Sequence, residues 1–257
     1  MARCQSTAAL IQANSGPFVV TFWKMNTLNW KPVLSPGPIT LRGRYVTLEP
    51  LDLGRHAAPL WEAVGGHDEL WTWLANGPYA GASELMNGLD AWRQANQAIV
   101  LAIVPRQAPL GSKQPEPEGQ AKGWASYMRI DPANGVVEVG NILFSPALKR
   151  TRAATEAMYL MAGHVFDHLG YRRYEWKCNA LNEGSRRAAL RFGFTYEGIF
   201  RQHMVTKDSN RDTAWFSMLD HEWPGRKRAF EAWLDPGNFD VEGRQRRSLP
   251  DIAAALG

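Results

Sequence analysis

The sequence has few of the features that mark secreted or membrane-spanning proteins. Only two of its 257 residues are cysteines, Cys4 and Cys178, which are too few for a disulfide framework or a cysteine metal site. Its longest apolar runs, 18–23 and 98–104, fall well short of the ~20 residues that cross a bilayer. These absences favour a reducing compartment and predict a soluble, cytoplasmic protein without a membrane partner.

The charge of the chain is balanced and dispersed. The sequence holds 29 basic and 25 acidic residues, for a formal net charge of +4. A nucleic-acid-binding protein commonly concentrates positive charge in a stripe or patch. The 11 tryptophans are scattered without interleaved basic runs, which favours core packing over base stacking. We therefore expect no nucleic-acid partner, and a nucleic-acid-binding module is the least favoured class of function.

No aspartate or glutamate precedes Glu49, although five basic residues do. Acid-poor leaders are typical of organelle-targeting segments. Residues 1–24, however, contain only Arg3 and Lys24 as charges and show no amphipathic period. We expect a flexible N-terminal extension over residues 1–35, with Met25 as an alternative first residue.

The rest of the chain alternates strand and helix patterns, which indicates an α/β or α+β fold in one domain. Strands are predicted at 39–52, 98–105, 123–131, 134–144 and 171–180. Helices are predicted at about 53–64, at 81–97 with Ser83 as N-cap, at 152–169, and after the N-cap Asn182. A long hairpin follows Gly193, then a helix at 225–234 and a polar end. The Pro- and Gly-rich segment 106–122 predicts an exposed, mobile loop.

The start of the helix at 152 carries charge of the unusual sign. Lys149, Arg150 and Arg152 stand where helices usually carry acidic residues, because free N–H groups and the helix dipole make that end positive. A phosphate group bound among them would explain their sign. The segment also offers hydroxyl groups and small residues, namely Thr151, Ala153, Ala154 and Thr155. The alternative is that the cations simply point into water.

Four motifs around this segment resemble those of the GNAT superfamily of acyl-CoA-dependent N-acyltransferases, and most closely its RimJ/RimL-like, ribosomal-protein-acetylating branch. They are VEVGNILF (137–144), RTRAATEA (150–157), NALNEGS (179–185) and RFGFTYEGIFR (191–201). The resemblance implies a GNAT domain over residues 36–224 and a C-terminal helix with a polar tail over 225–257. It also implies a mixed central sheet, splayed between its fourth and fifth strands, with helices on both faces.

The resemblance further implies that acetyl-CoA is the co-substrate and lies in the opening of the sheet. Its pantetheine would pair with Ile142, Leu143 and Phe144 and contact Asn182, and its pyrophosphate would lie on the N–H groups of residues 150–155. The usual glycines of that loop are replaced here by Arg150 and Arg152. We therefore expect these two side chains to contact phosphate oxygens directly.

The reaction implied is direct attack of an amine on the thioester, with neither a metal ion nor an acyl-enzyme. It requires a base for the ammonium proton, and a proton for the leaving thiolate assists it. Glu138 is the first candidate base, unless it only pairs with an Arg or Lys; Glu197 and His203 are the others. Ser185 is the candidate acid, unless it only takes part in capping the short helix. Trp124 and Tyr127 are expected to contact the substrate.

The predicted function is acetyl transfer from acetyl-CoA to a primary amine, on a protein N-terminus or on a small molecule. The alternative is a CoA-binding sensor or scaffold that keeps the GNAT fold without turnover. His164 and His168 have zinc-binding spacing but lack a third ligand, so we expect solvated histidines and no metal. A homodimer is compatible with the sequence.

Overall fold

The computed structural model describes residues 28–106 and 119–256, and the backbone of two strands nearer the N terminus. These strands, β1 (Thr7–Gln12) and β2 (Pro17–Phe22), pair antiparallel as a two-stranded sheet. Residues 1–31 form a unit distinct from residues 32–257. The small sheet thus occupies a stretch for which the sequence predicted no regular structure.

The larger unit is built on an eight-stranded mixed sheet. Its strands are β3 (Leu41–Arg42), β4 (Val46–Pro50), β5 (Ile99–Pro105), β6 (Gly123–Asp131), β7 (Val136–Phe144), β8 (Arg173–Asn179), β9 (Thr195–Thr206) and β10 (Ser209–Leu219). They lie in the order β3-β4-β5-β6-β7-β8-β10-β9. The pair β7 and β8 is parallel, and the neighbouring pairs are antiparallel.

Helices cover both faces of this sheet, which confirms the predicted fold class. They are α1 (Leu53–Val64), α2 (Ala82–Ala95), α3 (Arg152–Gly163), α4 (Glu183–Arg191), α5 (Trp223–Leu234) and α6 (Leu249–Ala255). A π-helical turn, His164–His168, extends α3 to near Gly170, whose φ of +72° ends it in the left-handed conformation that glycine favours. No helix in the described ranges has the length and apolar character to span a bilayer.

Alternation along β5 distributes its side chains between two hydrophobic cores. Leu101 and Ile103 face the larger core with α3 and α5, whereas Val100, Ala102 and Val104 face the smaller core with α1 and α2. Successive side chains of a strand point to opposite faces, so an uninterrupted apolar run is the expected pattern for a strand buried on both sides. The run at 98–105 therefore forms a central strand, as predicted.

The motif that follows the candidate phosphate loop fastens α3 to the edge of the sheet. The carboxylate of Glu156 accepts hydrogen bonds from the backbone N–H groups of Arg44, Tyr45 and Val46 at 2.9, 2.6 and 3.0 Å. A Cβ at Gly43 would stand 2.3 Å from this carboxylate, so only glycine fits there. The chain therefore turns between Arg42 and Val46. The stretch 39–52 forms the hairpin β3–β4 and not the single strand that was predicted.

The sheet opens between β7 and β8. Their parallel register runs from Val136 opposite Arg173 to Val139 opposite Trp176 and stops there. On its other side, β7 carries an extra residue relative to β6 near Asn141, whose φ is +45°. Such a bulge bends the strand that contains it. The strands part after Val139, as the expected splay between the fourth and fifth strands of the domain requires.

Three local predictions need correction. Helix α2 begins at Ala82 with Gly81 as N-cap, and Ser83 makes no capping bond. The C-terminal segment is not merely polar, because Leu249 and Ile252 of α6 are buried in the larger core. His164 is buried rather than solvated, because the π-turn directs it towards the ring of Tyr127, with ring centroids 6.1 Å apart. Most of the loop predicted at 106–122 lies outside the described residues.

Candidate active site

A cleft of about 170 Å³ occupies the opening between β7 and β8. Its walls come from the α2 side of the domain, from β6, β7 and β8, from the start of α4 and from the β9–β10 hairpin. The lining includes Trp73, Trp92, Met128, Arg129, Glu138, Gly140, Asn141, Ile142, Trp176, Lys177, Cys178, Asn182, Ser185, Met204 and Arg211. Four of the residues predicted for the site thus line one cavity: Glu138 and Ile142 from the first motif, and Asn182 and Ser185 from the third.

Glu138 is a buried carboxylate at the inner wall of the cleft. Arg129 Nη1 donates to its Oε2 at 2.7 Å, and Lys177 Nζ lies 2.9 Å from the same oxygen. Within the described residues, Oε1 makes no hydrogen bond. The cross-strand pairing that we considered for Glu138 is present, but it engages one carboxylate oxygen and leaves the other available to a ligand.

The two other candidate bases lie in different surroundings. Glu197 forms a two-pronged ion pair with Arg173 at 2.8 and 2.6 Å, accepts a hydrogen bond from Ser217, and is not part of the cleft wall. Its hydrogen bonds to Arg173 lower the pKa of Glu197. The ring of His203 contacts Thr213 Oγ1 at 2.9 Å. Burial, followed by nearby cations, lowers the pKa of His203 and favours its neutral form.

A row of alternating charges connects these groups along the sheet. Consecutive side chains are joined by ion pairs of 2.6–2.9 Å. The row consists of Arg129, Glu138, Lys177, Glu175, Arg173 and Glu197. Buried charges need such partners, since leaving one unpaired is costly. The row therefore fixes the position of Glu138 through several strands at once.

Ser185 lies at the first turn of α4, where its surroundings orient its hydroxyl group. Asn182 Oδ1 accepts the backbone N–H of Ser185 at 3.0 Å, which confirms Asn182 as the N-cap of α4. Trp176 Nε1 donates to Ser185 Oγ at 2.9 Å. The serine oxygen accepts from the indole, so its own proton can be donated to a sulfur, and in this structure its hydroxyl hydrogen-bonds the Cys178 side chain. Burial raises the pKa of the neighbouring Cys178 thiol, which keeps that sulfur protonated.

The loop before α3 presents a cradle of backbone donors. Thr151 caps the helix by accepting the N–H of Ala154 at 3.1 Å. The N–H groups of Arg150, Arg152 and Ala153 form no hydrogen bond within the described residues. Arg150 has a φ of +63°, the left-handed conformation that glycine adopts more easily. The loop therefore keeps a glycine-like shape with an arginine in place.

The two arginines of the loop point to different surroundings. Arg150 is exposed. The guanidinium of Arg152 lies over the rings of Tyr45 and Phe239, 5.0 and 4.6 Å from their centroids. The position of the Arg152 side chain does not support the expected contact with phosphate, because its guanidinium is held between two aromatic rings.

Trp124 and Tyr127 belong to the interior and do not line the cleft. Both are fully buried. Trp124 packs against Trp71 in the smaller core, and Tyr127 donates its hydroxyl to Met161 O at 2.8 Å in the larger one. The prediction that they contact substrate is wrong, since strand alternation directs them into opposite cores. Trp73 and Trp92 are the tryptophans that face the cleft from the α2 side.

The β9–β10 hairpin reaches across the cleft. Lys207, at the hairpin turn, donates from Nζ to Trp71 O at 2.8 Å. Met204 and Arg211, which pair with each other across the hairpin, line the cavity beneath. The sequence patterns did not indicate Arg211, Lys177 or Asn141 as site residues. The hairpin pattern was visible, but a strand pattern does not tell which distant residues its side chains will face.

The matches to known proteins agree with this arrangement. A family model described as an acetyltransferase (GNAT) domain matches residues 46–195. A GCN5-related N-acetyltransferase from Brucella melitensis is 44% identical, with a TM-score of 0.78 over 88% of this chain and 99% of that one. A GNAT-family protein from Chromobacterium violaceum is 37% identical, with a TM-score of 0.69 over 80% and 98% of the two chains.

Two further relatives bear on the branch and on the fold. A protein of Bacillus subtilis (strain 168) named as a candidate ribosomal N-acetyltransferase, YdaF, is 26% identical over 110 residues, which span 43% of this chain and 60% of that protein. The microcin C7 self-immunity acetyltransferase MccE, solved in complex with acetyl-CoA and AMP, is 19% identical with a TM-score of 0.55 over 69% and 93% of the chains, and shares the fold.

An open mixed sheet with a cleft between its parting parallel strands is the architecture that this chain shares with these acetyltransferases. The match of the family model over more than half of the chain identifies the family. This chain belongs to the GNAT family and is an acetyltransferase, as the four motifs implied.

Proposed function

We propose that this enzyme transfers an acetyl group from acetyl-CoA to a primary amine by direct attack. The observation that carries the proposal is the cleft between β7 and β8, which contains a carboxylate with one available oxygen and an oriented serine hydroxyl. The acetyl-CoA bound to MccE, which has the same fold, supports the choice of donor.

The donor is proposed to follow the inner edge of β7. Beyond Val139 this edge has no β8 partner, so those backbone groups of the segment Ile142–Phe144 that point away from β6 are free to pair with the pantetheine amides. Asn182 lines the same opening. The pyrophosphate would then lie at the start of α3, where backbone N–H groups and the helix dipole favour an anion. The exposed side chain of Arg150 adds charge there.

The acceptor amine is proposed to lose its proton to Glu138 Oε1, directly or through water. The nitrogen lone pair then attacks the thioester carbon, the carbon–sulfur bond breaks, and the sulfur leaves as a thiolate. Ser185 donates a hydrogen bond or a proton to that thiolate. A thiol with a pKa of about 8.5 is a tolerable leaving group, so Ser185 is expected to contribute less than Glu138.

Thermal unfolding in the presence of CoA and acetyl-CoA tests the donor site. A ligand that binds only the folded state raises the unfolding temperature as its concentration rises. Inorganic phosphate at the same ionic strength serves as the control. No shift at millimolar CoA would contradict the donor site.

Release of free CoA, measured over a panel of primary amines, tests transfer. The absence of release with every amine would favour a CoA sensor.

A further inference from the structure

The hairpin side of the cleft contains a cation without a counter-ion. Arg211 lines the cavity, and its Nε is buried without a hydrogen-bond partner among the described residues. Glu138 is the carboxylate that acts on Arg211 electrostatically, but it is already bound by Arg129 and Lys177. A buried donor without a partner is costly unless water or a ligand satisfies it.

The charges around Arg211 balance without it. Arg129 and Lys177 are matched by Glu138 and Glu175 through ion pairs of 2.7–2.9 Å. The positive charge of Arg211 is therefore in excess. Burial lowers the pKa of the nearby His203, and Arg129, Arg211 and Lys177 lower it further, as expected where positive potential prevails.

A second donor in the cleft lacks a partner as well. The side-chain nitrogen Nδ2 of Asn141, at the bulge of β7, is buried without a hydrogen bond among the described residues. It lines the same cavity as Arg211. Both unsatisfied groups are donors, so the cavity is suited to a ligand that supplies acceptor oxygens.

The position of Arg211 indicates which ligand these donors serve. In the proposed function, on which this inference rests, the donor thioester arrives along β7 from the start of α3. Arg211 instead belongs to the hairpin that spans the cleft and is held to Trp71 by Lys207. An anionic group bound by Arg211 would thus belong to the acceptor.

We propose that the acceptor is an amine that carries a carboxylate or phosphate group close to its nitrogen, and that Arg211 binds this anionic group. Arg211 is a specificity-determining residue in this account. An arginine fork matches the oxygens of both groups, and a cationic cleft attracts anionic molecules before they dock.

Matched pairs of amines test the proposal and separate the sources of the negative charge. The pairs are 2-aminoethyl phosphate and ethanolamine, alanine and alaninamide, and peptides that begin Ser-Glu and Ser-Gln. We expect the wild type to favour the more anionic member of at least one pair by about 10- to 100-fold in kcat/KM, less at high salt. Equal use of both members in every pair would overturn the proposal.

Variants then locate the preference. Arg211→Gln should remove most of it by raising KM for the anionic amine, whereas Arg211→Lys should restore part of it. The matched control is Arg228→Gln, which replaces an exposed arginine of α5 outside the cleft wall. A preference that persists in a folded Arg211→Gln enzyme would overturn the role of Arg211.

A binding measurement distinguishes failure of this inference from failure of the proposed function. Titration calorimetry of 2-aminoethyl phosphate and ethanolamine into the CoA-loaded enzyme requires no turnover. Tighter binding of the phosphate compound, lost in Arg211→Gln, supports the anion site even if no amine is acetylated. Acetylation of neutral amines without any anion preference contradicts this inference and leaves the proposed function standing.

Discussion

The available carboxylate oxygen of Glu138 lies directly over Gly140. A Cβ at Gly140 would stand 3.0 Å from Glu138 Oε1 and 2.5 Å from Met128 Sδ. The two residues belong to the same strand, two positions apart, so their side chains share a face. A Cβ at Gly140 would overlap Met128 first and crowd the Glu138 carboxylate as well, which gives a physical reason for the Glu-x-Gly pattern in β7.

Replacement of Gly140 by alanine should displace the Met128 side chain and, with it, shift the neighbouring Glu138 carboxylate. We expect kcat to fall by about tenfold or more, since misplacement of a catalytic group by an ångström is expensive. The affinity for CoA should change little. Steady-state kinetics and CoA titration measure the two effects. Gly225→Ala is the control, because nothing lies within 4 Å of a Cβ there; an active Gly140→Ala enzyme would contradict the requirement for glycine.

Replacement of Glu138 by glutamine should remove the proposed base and keep the fold of the cleft. We expect kcat to fall by about 10²–10⁴-fold, the usual contribution of general-base catalysis. CoA affinity should hold, and the exposed Glu62→Gln serves as the control for a lost charge elsewhere. Stopped-assay kinetics with the best amine of the panel provide the measurement.

Retention of turnover in Glu138→Gln would leave Glu197 and His203 as candidate bases, and His203 can be tested by its pH dependence. The pKa of His203 is lowered from 6.5, so its neutral form prevails at pH 6.5 and above. If His203 is the base, activity should fall when the pH is lowered below 6.5. Replacement His203→Gln should then abolish that acidic limb of the pH–rate profile. An unchanged limb in His203→Gln would exclude this role.

Replacement of each loop arginine should affect a different property: CoA binding for Arg150 and the free energy of unfolding for Arg152. Arg150→Gln should weaken CoA binding by about two- to fivefold, because exposed ion pairs contribute up to about 1 kcal/mol. Arg152→Gln should lower the free energy of unfolding by about 0.5–2 kcal/mol through its lost ring contacts and leave CoA affinity nearly unchanged. Titration calorimetry and urea unfolding measure these effects; the reverse pattern would contradict the assignment.

The pair of Glu197 and Arg173 should make stability depend on acidic pH. The pKa of Glu197 is lowered from 4.5 in the folded state. Below that value the unfolded chain therefore binds more protons than the folded chain, and stability falls as the pH falls through this range. Urea unfolding between pH 3 and 7 should show this loss, and Glu197→Gln should make the free energy of unfolding depend less steeply on pH. Equal pH dependence in the wild type and in Glu197→Gln would rule out this contribution.

The sequence determined the local elements and the family of this protein. The apolar period of Leu53–Val64 defines α1, the double-sided apolar run defines β5, and Asn182 caps α4 as expected. These patterns involve residues only a few positions apart in the chain, through periodic burial and capping hydrogen bonds. They therefore predict local structure without knowledge of the tertiary contacts. The motif order was also sufficient to identify the GNAT family.

The tertiary structure decided where the side chains go. Arg152 looked like a phosphate ligand from its neighbours, but Phe239, far along the chain, supplies a ring for it. Glu138 meets Lys177 because β7 and β8 pair in parallel as far as Val139, and Arg211 enters the cleft because the hairpin folds across it. Ion pairs and ring contacts depend on distance in space, whereas the sequence specifies distance along the chain.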